Sequence, residues 1–135
     1  MDKSGALFGA AKYGGTHKFG IVFELTQSGG AWKEKVLYNF SGPDGAYPYA
    51  GLVPSRSETF YGTTVDGGAD DEGTVFVLFK SGGAWTEAVL YGLGGGSGDG
   101  TYPFSAVILD KKGNLYGTTE GGGAHGWGTV WEVTP

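Results

Sequence analysis

The sequence predicts an all-β chain, and three observations carry that prediction. Glycine accounts for 29 of the 135 residues, and aromatic residues make up 15%. Disordered glycine-rich chains are poor in aromatic residues, so this combination favours many short strands joined by tight turns. One phrase also recurs three times, and no segment has the sustained apolar period of about 3.6 residues that is typical of helices.

The recurring phrase divides the chain into three copies. It is clearest in "NLYGTTEGGGAHGWGTVWEV" at 114–133, and a near copy, "TFYGTTVDGGADDEGTVFVL", occupies 59–78. A more divergent copy, "ALFGAAKYGGTHKFGIVFEL", lies at 6–25. We expect one segment, 1–135, with repeat copies at about 2–54 and 55–109 and a partial copy at 110–135.

Each complete copy is predicted to hold four strands in order. The first is "YAGLVPS", and the second, such as "LYGTT", follows a turn of the form Asp-x-x-Gly-Asn at Asp110–Asn114. The third is "TVFVL" and its counterparts. The fourth, "EKVLYNF" or "EAVLYGL", comes after the turn "SGGAW". Short length, β-branched and aromatic content, and Gly, Asp and Ser at the ends all favour strands.

Four antiparallel strands in each period of roughly 40–55 residues are typical of a β-propeller blade. The coils of a β-solenoid, the alternative fold, are shorter and lack these hairpin turns. By this reading the chain holds ten strands, or about 2.5 blades, which cannot close a ring. Because open blade edges favour association, we expect a homo-oligomer, most simply a dimer of about six blades, or a segment of a longer array.

Composition excludes several classes of function. The formal net charge is −5 with no cluster of Lys and Arg, so no nucleic-acid partner is expected. No apolar run reaches about 18 residues, so no membrane span is expected, and "MDKSGALFG" lacks the features of a signal peptide. Cysteine is absent, and no spacing typical of a metal site or nucleotide loop occurs. We therefore expect neither a metal nor a cofactor.

Three phrases, "DKKGNLYGTTEGGGAHGWGTVWEVTP", "SGGAWKEKVLYNF" and "PDGAYPYAGLV", resemble the GloVer (Gloeo/Verruco-type) tandem repeat of bacterial proteins. The resemblance covers essentially the whole chain. It implies a propeller-like fold and an extracellular or cell-surface location, and it carries no activity. The first copy departs from the pattern, with "LFGAA" in place of "LYGTT".

One face of the predicted fold is the candidate binding surface. In a four-stranded meander the loops between strands two and three share a face with the loops that lead from strand four to the next meander. We call the latter the loops between copies. These two sets are the longest and most polar loops. Binding residues concentrate on loops that a rigid scaffold holds in place. The candidate ligand-binding residues there are His17, Asp44, Tyr47, Asp99, Tyr102, His125 and Trp127.

Each candidate also has a structural interpretation. The phrase Asp-Gly-x-Tyr-Pro, which holds Asp44 and Asp99, builds either a tight turn between copies or a repeated polar and aromatic pocket. The two histidines are either exposed loop residues or metal ligands brought together by assembly. Trp127 lies between two glycines, so its indole either packs or stacks on the flat face of a sugar.

The sequence is compatible with three functions. The first is a carbohydrate-binding, lectin-like propeller module, which would bind a glycan or another cell-surface ligand. The second is a structural or adhesive interaction module with no small-molecule site. The third is a glycoside hydrolase with Asp44 and Asp99 as general acid and base. No nucleophile–His–acid set supports an enzyme, so catalysis is the weakest of the three.

Overall fold

A computed structural model describes residues 5–135, and all regular secondary structure in that range is β-strand. Within it, no helix is long and apolar enough to cross a membrane. The strands are β1 (Leu7–Ala11), β2 (Ile21–Ser28), β3 (Ala31–Asn39), β4 (Val53–Pro54), β5 (Thr59–Thr64), β6 (Thr74–Ser81), β7 (Ala84–Gly92), β8 (Gly100–Thr101), β9 (Ile108–Leu109), β10 (Leu115–Thr118), β11 (Gly121–Gly122) and β12 (Val130–Val133).

The strands form three antiparallel meanders, and each is built around one occurrence of the recurring phrase. The first sheet is β1-β2-β3, the second is β4-β5-β6-β7, and the third is β9-β10-β12. The first strand of the second sheet and that of the third sheet, β4 and β9, come from the last residues of the preceding copy. The second sheet therefore has the four strands in sequence order that the repeat predicts, and the prediction of an all-β antiparallel chain is confirmed. The sheets are not closed into a ring in the described part of the chain, so a propeller stays a prediction.

Two short strands lie outside the predicted set. β8, in the loop between the second and third copies, pairs with β11, in the loop that follows β10. Glycine permits this pairing, because a Cβ on Gly122 would lie 2.2 Å from the carbonyl oxygen of Asp99. The sequence has no alternation there, so strand periodicity did not reveal it.

The β2–β3 and β6–β7 hairpins are the predicted "SGGAW" turns. Gly29 and Gly30 have φ values of 61° and 81°, and Gly82 and Gly83 have values of 59° and 86°. A two-residue turn with positive φ at both positions matches the twist of its strands and favours glycine. These turns fix the register of the long β2–β3 and β6–β7 pairs.

A glycine opposite an aromatic residue recurs in all three sheets. Gly62 of β5 pairs with Phe76 of β6, and a Cβ on this glycine would lie 2.6 Å from the ring. Gly117 and Trp131 form the same pair in the third sheet. The ring thus lies flat over the neighbouring strand, and Trp131, which is partly buried, packs against the core cluster of Val75, Val107 and Leu115.

The core lies between the sheets. Phe76 and Leu78 of the second sheet are fully buried against Val22, Leu37 and Phe40 of the first copy. We call this the first core cluster. On the opposite side of the second sheet, Val75 packs against Val107 and Leu115 at the third sheet, and these three residues form the second core cluster. Side chains alternate across a strand, so each sheet can pack against a neighbour on both sides.

Candidate functional site

Each loop between copies has one tyrosine that bonds through its backbone to the loops between strands two and three on both sides of it. The Tyr47 N–H donates to the carbonyl oxygen of Phe19 (2.7 Å), and the Tyr47 carbonyl accepts from Val65 N–H (3.1 Å). Tyr102 repeats this arrangement with Glu72 (3.0 Å) and Glu120 (3.1 Å).

Both tyrosines have a φ of 58°, which is uncommon for a residue other than glycine. The proline that follows each of them is buried. Backbone bonds and buried prolines hold the loops rigidly, which is what a binding surface requires.

Asp44 organises the first of these loops. Its carboxylate accepts from the backbone N–H of Ser41 (2.8 Å), the Ser41 hydroxyl (2.9 Å) and the Tyr38 hydroxyl (2.5 Å). Burial alone would raise the pKa of Asp44, but these hydrogen bonds outweigh it and lower the pKa below its usual value. The side chain therefore stabilises the turn as a carboxylate.

Asp99 has the same role in the second loop. Its carboxylate accepts from the Tyr91 hydroxyl (3.0 Å) and from the backbone N–H groups of Gly100 (2.8 Å) and Gly95 (3.3 Å). Asp44 and Asp99 each bond within their own loop and to a tyrosine at the end of the preceding strand, and this geometry favours the turn interpretation of the repeated phrase. A general acid and base would need free oxygens directed at one substrate.

Glu87 is a polar residue at the first junction that the sequence did not single out. It lies on β7 near Tyr38 and Asp44, and its Oε1 atom is buried with no hydrogen-bond partner among residues 5–135. Burial and the charge of Asp44 raise the pKa of Glu87 to about 7, against a smaller opposing effect of the Tyr38 hydroxyl. Burial and the bond to Asp44 likewise raise the pKa of Tyr38.

An exposed row of aromatic side chains lies on the predicted face. We name this aromatic row by its members, Tyr13, Tyr47, Tyr49 and Phe104, with Lys12 among them. Tyr13 and Tyr49 are 66% and 60% exposed, and Phe104 is 38% exposed. The row thus draws on both loops between copies and on the loop after β1.

Ring contacts and one ammonium group connect the row. Tyr13 packs edge-on against Tyr47 at 5.6 Å, and Tyr49 packs edge-on against Phe104 at 5.3 Å. The Lys12 ammonium lies 5.3 Å from the ring centre of Tyr13 and 5.4 Å from that of Tyr49. A cation over aromatic faces holds these rings together at the surface.

A shallow groove continues from the row. It is lined by Phe104, Ser105, Thr118, Thr119 and Glu120. The Ser105 hydroxyl accepts from Thr118 N–H (3.1 Å) and donates to the Thr118 carbonyl oxygen (3.2 Å), while Glu120 is exposed. Hydroxyl and carboxylate groups therefore lie directly beside an exposed ring.

The remaining predicted site residues lie at loop tips. Trp127 is 89% exposed, and within residues 5–135 its ring packs against no other aromatic ring. His125 is exposed two residues away in the same loop, and His17 is exposed in the corresponding loop of the first copy. In the described part of the chain, no group of three or more His, Asp or Glu side chains is placed to hold a metal ion.

Of the predicted residues, Tyr47 lies in the aromatic row and Tyr102 at the equivalent position of the next junction. Asp44 and Asp99 lie in the turns that precede these tyrosines, and the two histidines and Trp127 lie at loop tips outside the row. The sequence did not point to Lys12, Tyr13, Tyr49 and Phe104. One signal was available: Tyr49 and Phe104 both follow the proline of the repeated phrase.

These features define an all-β tandem-repeat protein with rigid, aromatic loops on one face. The chain belongs to the Gloeobacter/Verrucomicrobia repeat family, whose model matches residues 1–135. The resemblance to this repeat is thereby confirmed. No curated protein and no solved structure matches the chain.

Proposed function

We propose that the protein is a carbohydrate-binding module and that the aromatic row is its binding surface. The observation that carries the proposal is the row itself, in which Tyr13, Tyr49 and Phe104 are exposed on one face although aromatic rings are normally buried. A sugar ring has a flat apolar face that stacks on such side chains. Burying such a ring contributes up to about 2–3 kcal/mol.

Polar groups beside the row fit the same ligand class. Sugar hydroxyls both donate and accept, and the groove offers the carboxylate of Glu120 next to Phe104. A single surface of this kind binds weakly, and several such surfaces in one assembly would gain affinity through multivalency. Action on glycans outside the cell agrees with the extracellular location that the repeat resemblance implies, and we include that location in the proposal.

The test is binding of the labelled protein to a broad glycan array, with Tyr49→Ala beside the unmodified chain. Tyr49 contacts both Phe104 and Lys12, so its removal opens the middle of the row. We expect a cluster of related glycans to bind the unmodified chain and binding to fall at least about tenfold in the variant, which corresponds to about 1.4 kcal/mol.

Trp127→Ala is the matched control, because it removes an exposed aromatic ring that lies outside the row. We expect this variant to keep most of the binding. If Trp127→Ala loses binding and Tyr49→Ala keeps it, the site is the loop of Trp127 and His125 instead. Silence across the array for a folded chain contradicts carbohydrate binding.

A second candidate, a structural module that assembles with other copies, is favoured by a different observation. Val130 and Ile108 of the third sheet are 80% and 68% exposed on the face opposite its core. Exposed apolar sheet faces mark interaction surfaces. A module of this kind needs no small ligand, and a silent array combined with stable self-association would support it.

A further inference from the structure

Equivalent residues of the three sheets differ sharply in exposure. Val22, Val75 and Val130 occupy the same position near the start of the third strand of each copy. Val22 and Val75 are 0% exposed, because each packs against the sheet that follows it. Val130 is 80% exposed. The third sheet thus presents the face that the next sheet covers at the other two positions.

We call this face of the third sheet the trailing face, and its residues are Ile108, Tyr116 and Val130. Ile108 is 68% exposed, whereas its counterpart Val53 packs against the second core cluster. Glu132 lies on the same side, and its carboxylate accepts from the Tyr116 hydroxyl (3.0 Å). The charge on this face is therefore already paired with a hydrogen-bond donor.

The apolar side chains on the opposite side of the first sheet are also more exposed than their counterparts in the second sheet. Phe76 and Leu78 of the second sheet are 0% exposed against the first sheet, but their counterparts Phe23 and Leu25 are only partly buried. Trp32 is 50% exposed, whereas its counterpart Trp85 packs in the first core cluster. We call this side of the first sheet the leading face, and its residues are Leu7, Phe23, Leu25 and Trp32.

We infer that the leading face of one chain packs on the trailing face of a second, identical chain, and that the reciprocal contact closes a ring of two chains. The two junctions inside the chain are the template. In each of them a leading face covers a trailing face of the same construction. The contact between chains repeats that packing once more.

A specific pair of side chains supports the second copy as the occupant. Within the chain, Trp85 of a leading face packs against Phe8 of a trailing face at 6.2 Å between ring centres. Trp32 occupies the position of Trp85, and Tyr116 occupies that of Phe8. The leading face of the first sheet therefore carries the tryptophan of this contact, Trp32. The trailing face of the third sheet carries the aromatic ring that corresponds to its partner, Tyr116.

The mass of the chain in solution, with one variant on each face, tests this inference. We expect the unmodified chain to sediment at twice its 14.0 kDa mass. Trp32→Asp on the leading face and Val130→Asp on the trailing face should each sediment as single chains, because each buries a charge in both junctions. Lys33→Asp is the control: Lys33 is exposed beside Trp32 and points to the opposite side of β3, so it should not change the mass.

Mixing the two single-chain variants is the sharper measurement. A leading-to-trailing contact leaves one junction without either substitution in the mixed pair, so a two-chain species should reappear. If pairing instead joins two identical faces, only one substitution dissociates the protein and mixing restores nothing. That result overturns the inference, as does an unmodified chain that sediments at the mass of one chain or as an open-ended polymer.

Circular dichroism identifies the variants that fold. Trp32→Ala replaces Trp32→Asp if the charged variant does not fold, with the same expected dissociation. The inference concerns sheet faces and not the aromatic row, so glycan binding and chain mass are independent readouts.

Discussion

At the scale of single residues, Glu87 makes stability depend on pH. Its pKa is raised to about 7 in the folded state, above the usual 4.5, so the folded chain binds a proton more tightly than the unfolded chain. Stability should be greatest below the unfolded pKa and should fall as pH rises through the folded value, after which it levels off.

Glu87→Gln removes this dependence, and we expect the variant to be more stable than the unmodified chain above pH 7. Water reaches the part of the side chain that remains exposed, which reduces the gain to about 1–2 kcal/mol. Urea unfolding at several pH values between about 4 and 8 measures it. Glu120→Gln, at an exposed position in the loop after β10 and outside both sheet faces, is the control and should show no such gain. An equal gain in both variants would refute the role of burial.

Gly62 illustrates a second constraint at this scale. A Cβ at this position would lie 2.6 Å from the Phe76 ring, so Gly62→Ala must displace a fully buried side chain. We expect a loss of about 1–3 kcal/mol in the free energy of unfolding. Gly92→Ala is the control, because no atom lies within 4 Å of the position that its Cβ would occupy and its backbone is not left-handed. A loss in the control as large as that of Gly62→Ala would argue against a steric cause.

At the scale of elements, a pair of threonine hydroxyls joins the end of β5 to the start of β6. Thr64 Oγ1 lies 2.7 Å from Thr74 Oγ1, accepts from Thr74 N–H (3.1 Å) and donates to the Asp66 carbonyl (3.0 Å). Thr119 and Thr129 form the same pair in the third copy. The first copy has the apolar pair Ala11 and Ile21 instead.

Thr64→Ala alone should destabilise the chain by about 1–3 kcal/mol, because it leaves the buried Thr74 hydroxyl without its partner. The double variant Thr64→Ala/Thr74→Ile carries the pair of the first copy and should recover part of that loss. Thermal unfolding of both variants makes the comparison. A double variant less stable than Thr64→Ala would mean that the hydroxyls are not an interchangeable pair.

Some of these elements are predictable from the sequence, and others depend on contacts between distant residues. The strands of the meanders and the Gly-Gly hairpins were predictable, because alternation and turn chemistry are local properties. The β8–β11 pair was not, since glycine backbones pair there without any side-chain pattern. The left-handed backbone of Tyr47 and Tyr102 was equally unpredictable, because it accompanies backbone hydrogen bonds to loops that are distant in the sequence.

At the scale of the whole molecule, the aromatic row depends on contacts between distant parts of the chain. Tyr13, Tyr49 and Phe104 come from three separate loops, so no short motif announces them together. The sequence did place the loops between strands two and three beside the loops between copies, and backbone hydrogen bonds of Tyr47 and Tyr102 join these loops. It also singled out Trp127 for its glycine neighbours, and that tryptophan is exposed but outside the row.

The most direct test of the account is an NMR titration of the full isotope-labelled chain with the tightest-binding glycan of the array. Stacking should shift the ring resonances of Tyr13, Tyr49 and Phe104 together, with one common binding curve, and should leave Trp127 unchanged. Shifts confined to Trp127 and His125, or no shifts in the row at saturating glycan, would contradict the assignment of carbohydrate binding to the aromatic row.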